Sequence, residues 1–447
     1  MRFDSTTKQV SLPKPELVPL RSLRPFPNNA RTHSKRQIAQ IARSIERFGF
    51  TNPVLIDEQK QILAGHGRVA AALQLGLKLV PTLRFDHLTA DEKRAYVLND
   101  NKLAEKAGWD REILAIELHA LIDIDFDMEL TGFDTAEIDS IIDDASEETN
   151  GAVEDLTEPY DAENVVCQPG DVWVLGRHRL ICADARNPNT YQQLLGKERA
   201  EFIFTDPPFN LPIDGHVCGL GRIRHREFAM GCGEMTSAQF TEFLQHSFAC
   251  MASFSVPGSI HQICIDWRHL SEMLAAGNAV YSELKNLCVW NKTNAGMGSF
   301  YRSKHELVFV WKYGTSQHIN NFELGQHGRH RTNVWDYAGV NTFGGMGRED
   351  LSLHPTVKPV ALIADAIKDC SKRSGIVLDA FCGSGSVALA AEKTGRCARL
   401  IEIDPHYCDV AIKRWQSSTG RDAVRQQCGA SFFEISRKSA PSTEAST

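Results

Sequence analysis

The run VLDAFCGSGSVALAAEKTGRCARLIEID, residues 377–404, decides the fold. An apolar strand, Ile376 to Ala380, runs into Gly383-Ser384-Gly385 and then into a helix of small residues. A second strand follows and ends in Glu402 and Asp404. Glycines let a backbone approach a ligand closely, and a helix N-terminus offers free N–H groups. An acid at the end of the next strand can accept both hydroxyls of a ribose. The place of the third glycine in a pyrophosphate-binding turn is held by Ala388. Asp379, a carboxylate at the strand end, disfavours phosphate and favours the ammonium of an amino-acid moiety. That charge pattern points to S-adenosylmethionine.

Further short apolar runs lie upstream: AEFIFTD, SIHQICID, NLCVWNK and HELVFVWKYG. DVWVLGRHRLIC reads as a hairpin around Gly176-Arg177, and helical stretches fall at 236–252 and 359–371. Strands that are apolar throughout, alternating with helices, predict an α/β fold with a largely parallel sheet. Ligands of such sheets sit at the carboxyl ends of the strands, near the switch point.

The chain has 447 residues, enough for two or three domains. Its net charge of −7 is segregated: residues 1–110 carry +7, 111–163 carry −17 and 164–447 carry +3. Two mildly basic bodies flanking an acidic bridge are compatible with nucleic acid. No run reaches the roughly 18–20 apolar residues of a membrane span, and no apolar signal core opens the chain. The twelve cysteines form no CxxC pair, which argues for reduced thiols and against a zinc ribbon. A cytoplasmic protein without a metal site is expected.

The first body begins near Leu17. Ile38, Ile41, Ala42, Ile45 and Phe48 take helical spacing, with Ser34 and Gln37 as a capping box. A hairpin is expected around 57–60, a glycine turn into an Ala/Leu helix at AGHGRVAAALQLGL, a strand at KLVPTLRF, and helices from about 89 to 143. NNARTHS, NPVLID and AGHGRVAAALQLGLKLVP resemble the ParB-like N-terminal domain of partition proteins. That family usually carries a Gly-Glu-Arg-Arg-like run; here it is Gly65-His66-Gly67-Arg68. His66 and Arg68 remain candidates for phosphate contact, beside the plain reading of a turn that packs a helix on a sheet.

The second body resembles the amino-methylating DNA methyltransferases. Asp379, Phe381, Gly383 and Gly385 match their Asp-x-Phe-x-Gly-x-Gly motif, and Glu402 the later acid. Asp206-Pro207-Pro208-Phe209, after the strand AEFIFT, match the catalytic Asp/Ser-Pro-Pro-aromatic motif. An exocyclic amine is a poor nucleophile because its lone pair is delocalised into the ring. By resemblance, Asp206 accepts one N–H and the Pro207 carbonyl the other, stabilising the charge that develops on nitrogen. The prolines fix φ and hold both acceptors, and Phe209 stacks on a flipped base. The catalytic motif precedes the cofactor motif, as in the permuted β group. In LHPTVKP the resemblance puts His354, Thr356 and Lys358 on the methionine or ribose side. It puts Asp184 near the adenine, although Ala183 replaces the usual glycine, and Tyr301, Arg302 and Glu306 at the pocket edge.

Aspartate in the first motif position usually goes with adenine N6 and serine with cytosine N4, so adenine is expected and N4-cytosine is the alternative. Candidate DNA readers are Arg222, Arg224 and Arg226 in one glycine-rich stretch and Arg329, Arg331 and Asn333 in another. Their other reading is phosphate anchoring without specificity. Carbon-5 cytosine chemistry is disfavoured because Cys167-Gln168-Pro169 is in the wrong order for Pro-Cys-Gln. A DNA-binding regulator with a degenerate methylase fold, or an RNA or protein methyltransferase, remains as a competing class. The expected organisation is a small α+β ParB-like domain (15–107), a helical extension (108–143), an acidic linker (144–163), a Rossmann-like permuted α/β methyltransferase sheet (164–425) and a disordered tail (426–447). The expected partner is double-stranded DNA, with no membrane; a homodimer is the candidate assembly.

Overall fold

The structure is a computed structural model that describes residues 14–124, 126–146, 165–211, 230–293, 300–322, 330–338 and 357–439. The chain divides into two units, 1–146 and 147–447.

In the first unit, strands β1 (Glu16–Pro19), β2 (Val54–Ile56), β3 (Ile62–Ala64) and β4 (Leu79–Arg84) form a sheet of order β1-β4-β2-β3. Helices α1 (Lys35–Phe48) and α2 (His66–Gln74) accompany it. Val18, Val54, Ile56, Ile62, Val69 and Val80 form its core. The Ser34 hydroxyl caps α1 by accepting from Gln37 N, but the Gln37 side chain turns to His33 at 3.0 Å, so the reciprocal half of the expected box is not made. Gly65 enters α2 at φ 102, the left-handed region that favours glycine. Helices α3 (Ala90–Lys106), α4 (Arg111–Asp123) and α5 (Thr135–Ser146) follow. The last two close on Ala115, Leu118, Ile138 and Ile141.

The second unit is a ten-stranded sheet with helices on both faces. Its strands are β5 (Val172–Leu175), β6 (His178–Cys182), β7 (Ala200–Thr205), β8 (Ser255–Ile265), β9 (Glu283–Asn291), β10 (His305–Lys312), β11 (Val334–Asp336), β12 (Ile376–Asp379), β13 (Cys397–Glu402) and β14 (Val424–Arg425). The order is β11-β9-β10-β8-β7-β12-β13-β6-β5-β14. The central run β8-β7-β12-β13-β6 is parallel. Alternation along each strand feeds two cores: Phe202, Phe204 and Val377 on one face, Ile203, Leu378 and Ile401 on the other. Burial on both faces explains why these strands read as unbroken apolar runs. Between β7 and β12 the connectivity reverses, since β7 leads to β8 on one side and β12 to β13 on the other. That is the switch point.

The tail departs from expectation. Disorder was expected from 426, yet Phe432–Ser439 is helical and Phe432 is 3% exposed, its ring 5.4 Å from that of Trp173. One aromatic filling a slot beside a distant tryptophan outweighs the polar residues around it. Residues 440–447, and 147–163 of the expected linker, lie outside the described residues.

Candidate active site

β7 and β12 end side by side. Val377 pairs with Phe202 and Leu378 with Ile203, which brings Asp379 to the end of β7, within reach of the Thr205 hydroxyl, and places Asp206 just beyond. A cleft enclosing about 1160 Å³, mouth included, opens at these strand ends. It is lined by Asp184, residues 206–209, Lys358, residues 379–384, Glu402, Asp404 and Tyr407. The catalytic and cofactor motifs, 170 residues apart in sequence, therefore share one space.

The acids at the ends of β12 and β13 are each held by two hydrogen bonds. Asp379 Oδ1 accepts from the Thr205 hydroxyl at 2.7 Å and from Phe381 N at 3.0 Å. Glu402 accepts from Gly383 N at 2.7 Å on one oxygen and from Asp404 N at 2.9 Å on the other. Burial pushes both the Asp379 and the Glu402 carboxyl up to about 7, against hydrogen bonds that favour the ionised form. Gly385 has φ 83, and a Cβ there would lie 2.8 Å from Ala411 Cβ, so this glycine serves helix packing as well as the turn. The Ser384 hydroxyl accepts from Arg414 at 2.9 Å. Asp184 lines the cleft with its carboxylate gripped by Arg186 at 2.7 Å, which outweighs burial and holds it below the usual range.

The catalytic turn is clamped from the segment that precedes the next helix. Asn210, at φ 53, accepts from Gly233 N and Met235 N, both at 3.1 Å, and donates to Met235 O at 2.8 Å. A Cβ on Gly231 would lie 2.7 Å from Pro208 Cβ. Sequence reading gave Asn210 no role. Its signal was an asparagine, tolerant of positive φ, directly after the motif.

Asp206 Oδ2 accepts from Lys358 Nζ, while Oδ1 is buried without a hydrogen-bond partner among the described residues. Lys358 Nζ also lies 3.0 Å from Glu306 Oε2, and Lys292 Nζ donates to Glu306 Oε1 at 2.9 Å. The Lys358 ammonium stands 5.5 Å from the Phe209 ring centre and 5.9 Å from that of Trp290. Burial pushes the Asp206 carboxyl up to about 6, Lys358 drawing it down and Glu306 adding to the rise. Burial would raise Glu306 as well, but its two lysines hold it at about 2. Lys358 lines the cleft, and its charged end meets Asp206 and Glu306.

The other expected residues divide. His354, Thr356, Arg222, Arg224, Arg226 and Arg329 lie outside the described residues. Arg331 is turned inward, with Nε donating to Asp369 at 3.0 Å and Nη1 to the Tyr337 hydroxyl at 3.0 Å. Asn333 flanks β11, its backbone oxygen accepting from Val289 N at 2.8 Å. In the first unit, Arg68 donates to Asn52 O at 2.8 Å and His66 Nε2 accepts from Phe26 N at 3.3 Å, so both engage their own unit's loops.

A DNA methylase profile matches residues 200–413, a ParB N-terminal domain profile 4–102, and a ParB-methyltransferase HTH domain profile 112–169. The chain carries an N6/N4 DNA methylase domain together with ParB-type domains. It is similar to the ParB-like nuclease domain-containing protein YnaK of Escherichia coli K12, 53% identical over 76 residues, covering 17% of this chain and 87% of that one. It is also similar to the type II methyltransferase M.ScaI of Streptomyces caespitosus, 34% identical over 106 residues, covering 24% of this chain and 35% of the relative. M.HinfI of Haemophilus influenzae is 27% identical over 241 residues, covering 48% and 63% respectively. The matches thus span less than two thirds of either type II relative. The methylase uses S-adenosylmethionine. The cleft fits that cofactor: Asp379 and Glu402 supply carboxylates beside apolar Phe381 and Tyr407, a set that suits a cation and a nucleoside and repels phosphate. Among the described residues no helix is long and apolar enough to cross a membrane.

Proposed function

We propose that this methylase modifies the exocyclic N6 of adenine in duplex DNA. The observation that carries the reading is Asp206 Oδ1, a buried acceptor without a partner among the described residues, on a residue that lines the same cleft as Asp379 and Glu402. S-adenosylmethionine, when bound, supplies an electrophilic methyl group on a sulfonium. Asp379 would face its ammonium and Glu402 its ribose hydroxyls. Asp206 then takes one N–H of the amine and the Pro207 carbonyl the other, drawing the nitrogen lone pair out of the ring. The stiff Pro207-Pro208 turn, clamped by Asn210, keeps both acceptors in place with little reorganisation. The half-buried ring of Phe209 offers a stacking face for a base taken out of the duplex. Asp206 in the first motif position favours adenine over cytosine.

The test offers labelled S-adenosylmethionine with duplex DNA, RNA and protein in parallel, followed by nucleoside digestion. The reading predicts label in DNA, recovered as N6-methyladenine. Label recovered as N4-methylcytosine would overturn the choice of base, and label in RNA or protein alone the choice of substrate.

A further inference from the structure

We propose that Lys358, braced from behind by Glu306, is the positioning residue that fixes the rotamer and the charge state of Asp206. Four charges alternate through the wall of the cleft: Asp206, Lys358, Glu306 and Lys292. Lys358 is 5% exposed and cannot swing out to solvent without giving up both carboxylates and both ring faces. Its brace is set by strand register, because Glu306 on β10 pairs with Trp290 on β9, two residues before Lys292.

The arrangement has two consequences. Lys358 occupies Oδ2, so Oδ1 alone is left to meet an amine. The network also balances two opposing needs. A protonated Asp206 would be a worse acceptor, and burial favours that form; the ammonium opposes it. An over-stabilised carboxylate would be reluctant to take the proton the amine finally loses; Glu306 beside the ammonium counters that. The other titratable groups around Asp206 are Cys264 on β8 and Asp379 on β12, both of which disfavour its ionised form or have theirs disfavoured by it.

This inference rests on the proposed role of Asp206, and its test reads that residue directly. Protein labelled with carbon-13 at aspartate carboxyls is titrated by NMR, with the Asp206 resonance assigned by its loss in Asp206→Asn. Lys358→Met should move the Asp206 titration upward by about one pH unit or more, and Glu306→Gln should move it downward. Lys358→Arg should restore most of the Lys358→Met shift. Single-turnover methylation should follow, with the acid limb displaced the same way in each variant and the cofactor Kd by calorimetry within about twofold of wild type. If Lys358→Met does not fold, the direction of the Glu306→Gln shift decides alone. Unmoved titrations, shifts of the same sign in both variants, or a Lys358→Met defect confined to cofactor Kd would overturn the proposal. The resonance titrates whatever the substrate is, so a failure of the DNA reading registers separately, as absent methylation by the wild type.

Discussion

Asp379 and Asp206 stand at the carboxyl ends of adjacent strands, and they are held in opposite ways. Asp379 Oδ1 is pinned by neutral donors, a hydroxyl and a backbone N–H, that belong to the strand ends. Asp206 has one oxygen on a buried lysine and the other without a partner among the described residues. Both are pushed up by burial. In the proposed chemistry one is a fixed counter-charge and the other a poised acceptor, and the difference lies in their neighbours rather than in residue type.

The comparison breaks most directly at Asp206. Asp206→Ala should lower single-turnover methylation on the order of 10³-fold or more while cofactor affinity by calorimetry stays near wild type. Asp379→Asn should do the reverse, weakening cofactor binding by about tenfold to a hundredfold, with a smaller effect on the saturated rate. Glu402→Ala belongs with Asp379 and should show the same split.

The pH dependences should differ too. A carboxyl whose value is raised loses its ionised form as pH falls through that raised value. Cofactor affinity should therefore weaken as pH falls through about 7, following Asp379 and Glu402. The saturated rate should hold until about 6, where Asp206 protonates. The two profiles, from calorimetry and single-turnover kinetics, should be displaced by about one unit. The smallest effect is expected from Thr205→Val, which removes one neutral donor from Asp379 and should cost about 1 kcal/mol, roughly fivefold in cofactor Kd, moving the acid limb of cofactor binding upward and leaving that of the saturated rate in place.

Much of this was legible in the chain. Buried parallel strands cannot alternate apolar and polar residues, so β7, β12 and β13 announced themselves as runs. The glycine turn with its two acids marked the cleft. What stayed hidden depends on contacts between residues far apart in sequence. The pairing of Lys358 with Asp206 spans 152 positions, and nothing local separates a lysine that holds a catalytic acid from one that holds a cofactor. The second duty of Gly385 rests on Ala411, and the order of the tail on Phe432 finding Trp173. Arg331 reads as a DNA contact on residue type alone; Asp369, on a helix some forty residues on, draws it inward.

The proposed chemistry requires Asp206 as the acceptor for a base amine. The direct measurement is long-read mapping of modified bases in genomic DNA after expression in a methylation-free host, for wild type and Asp206→Ala side by side. N6-methyladenine at a defined sequence in the first and none in the second is the predicted result. The same modified sites in both would contradict it.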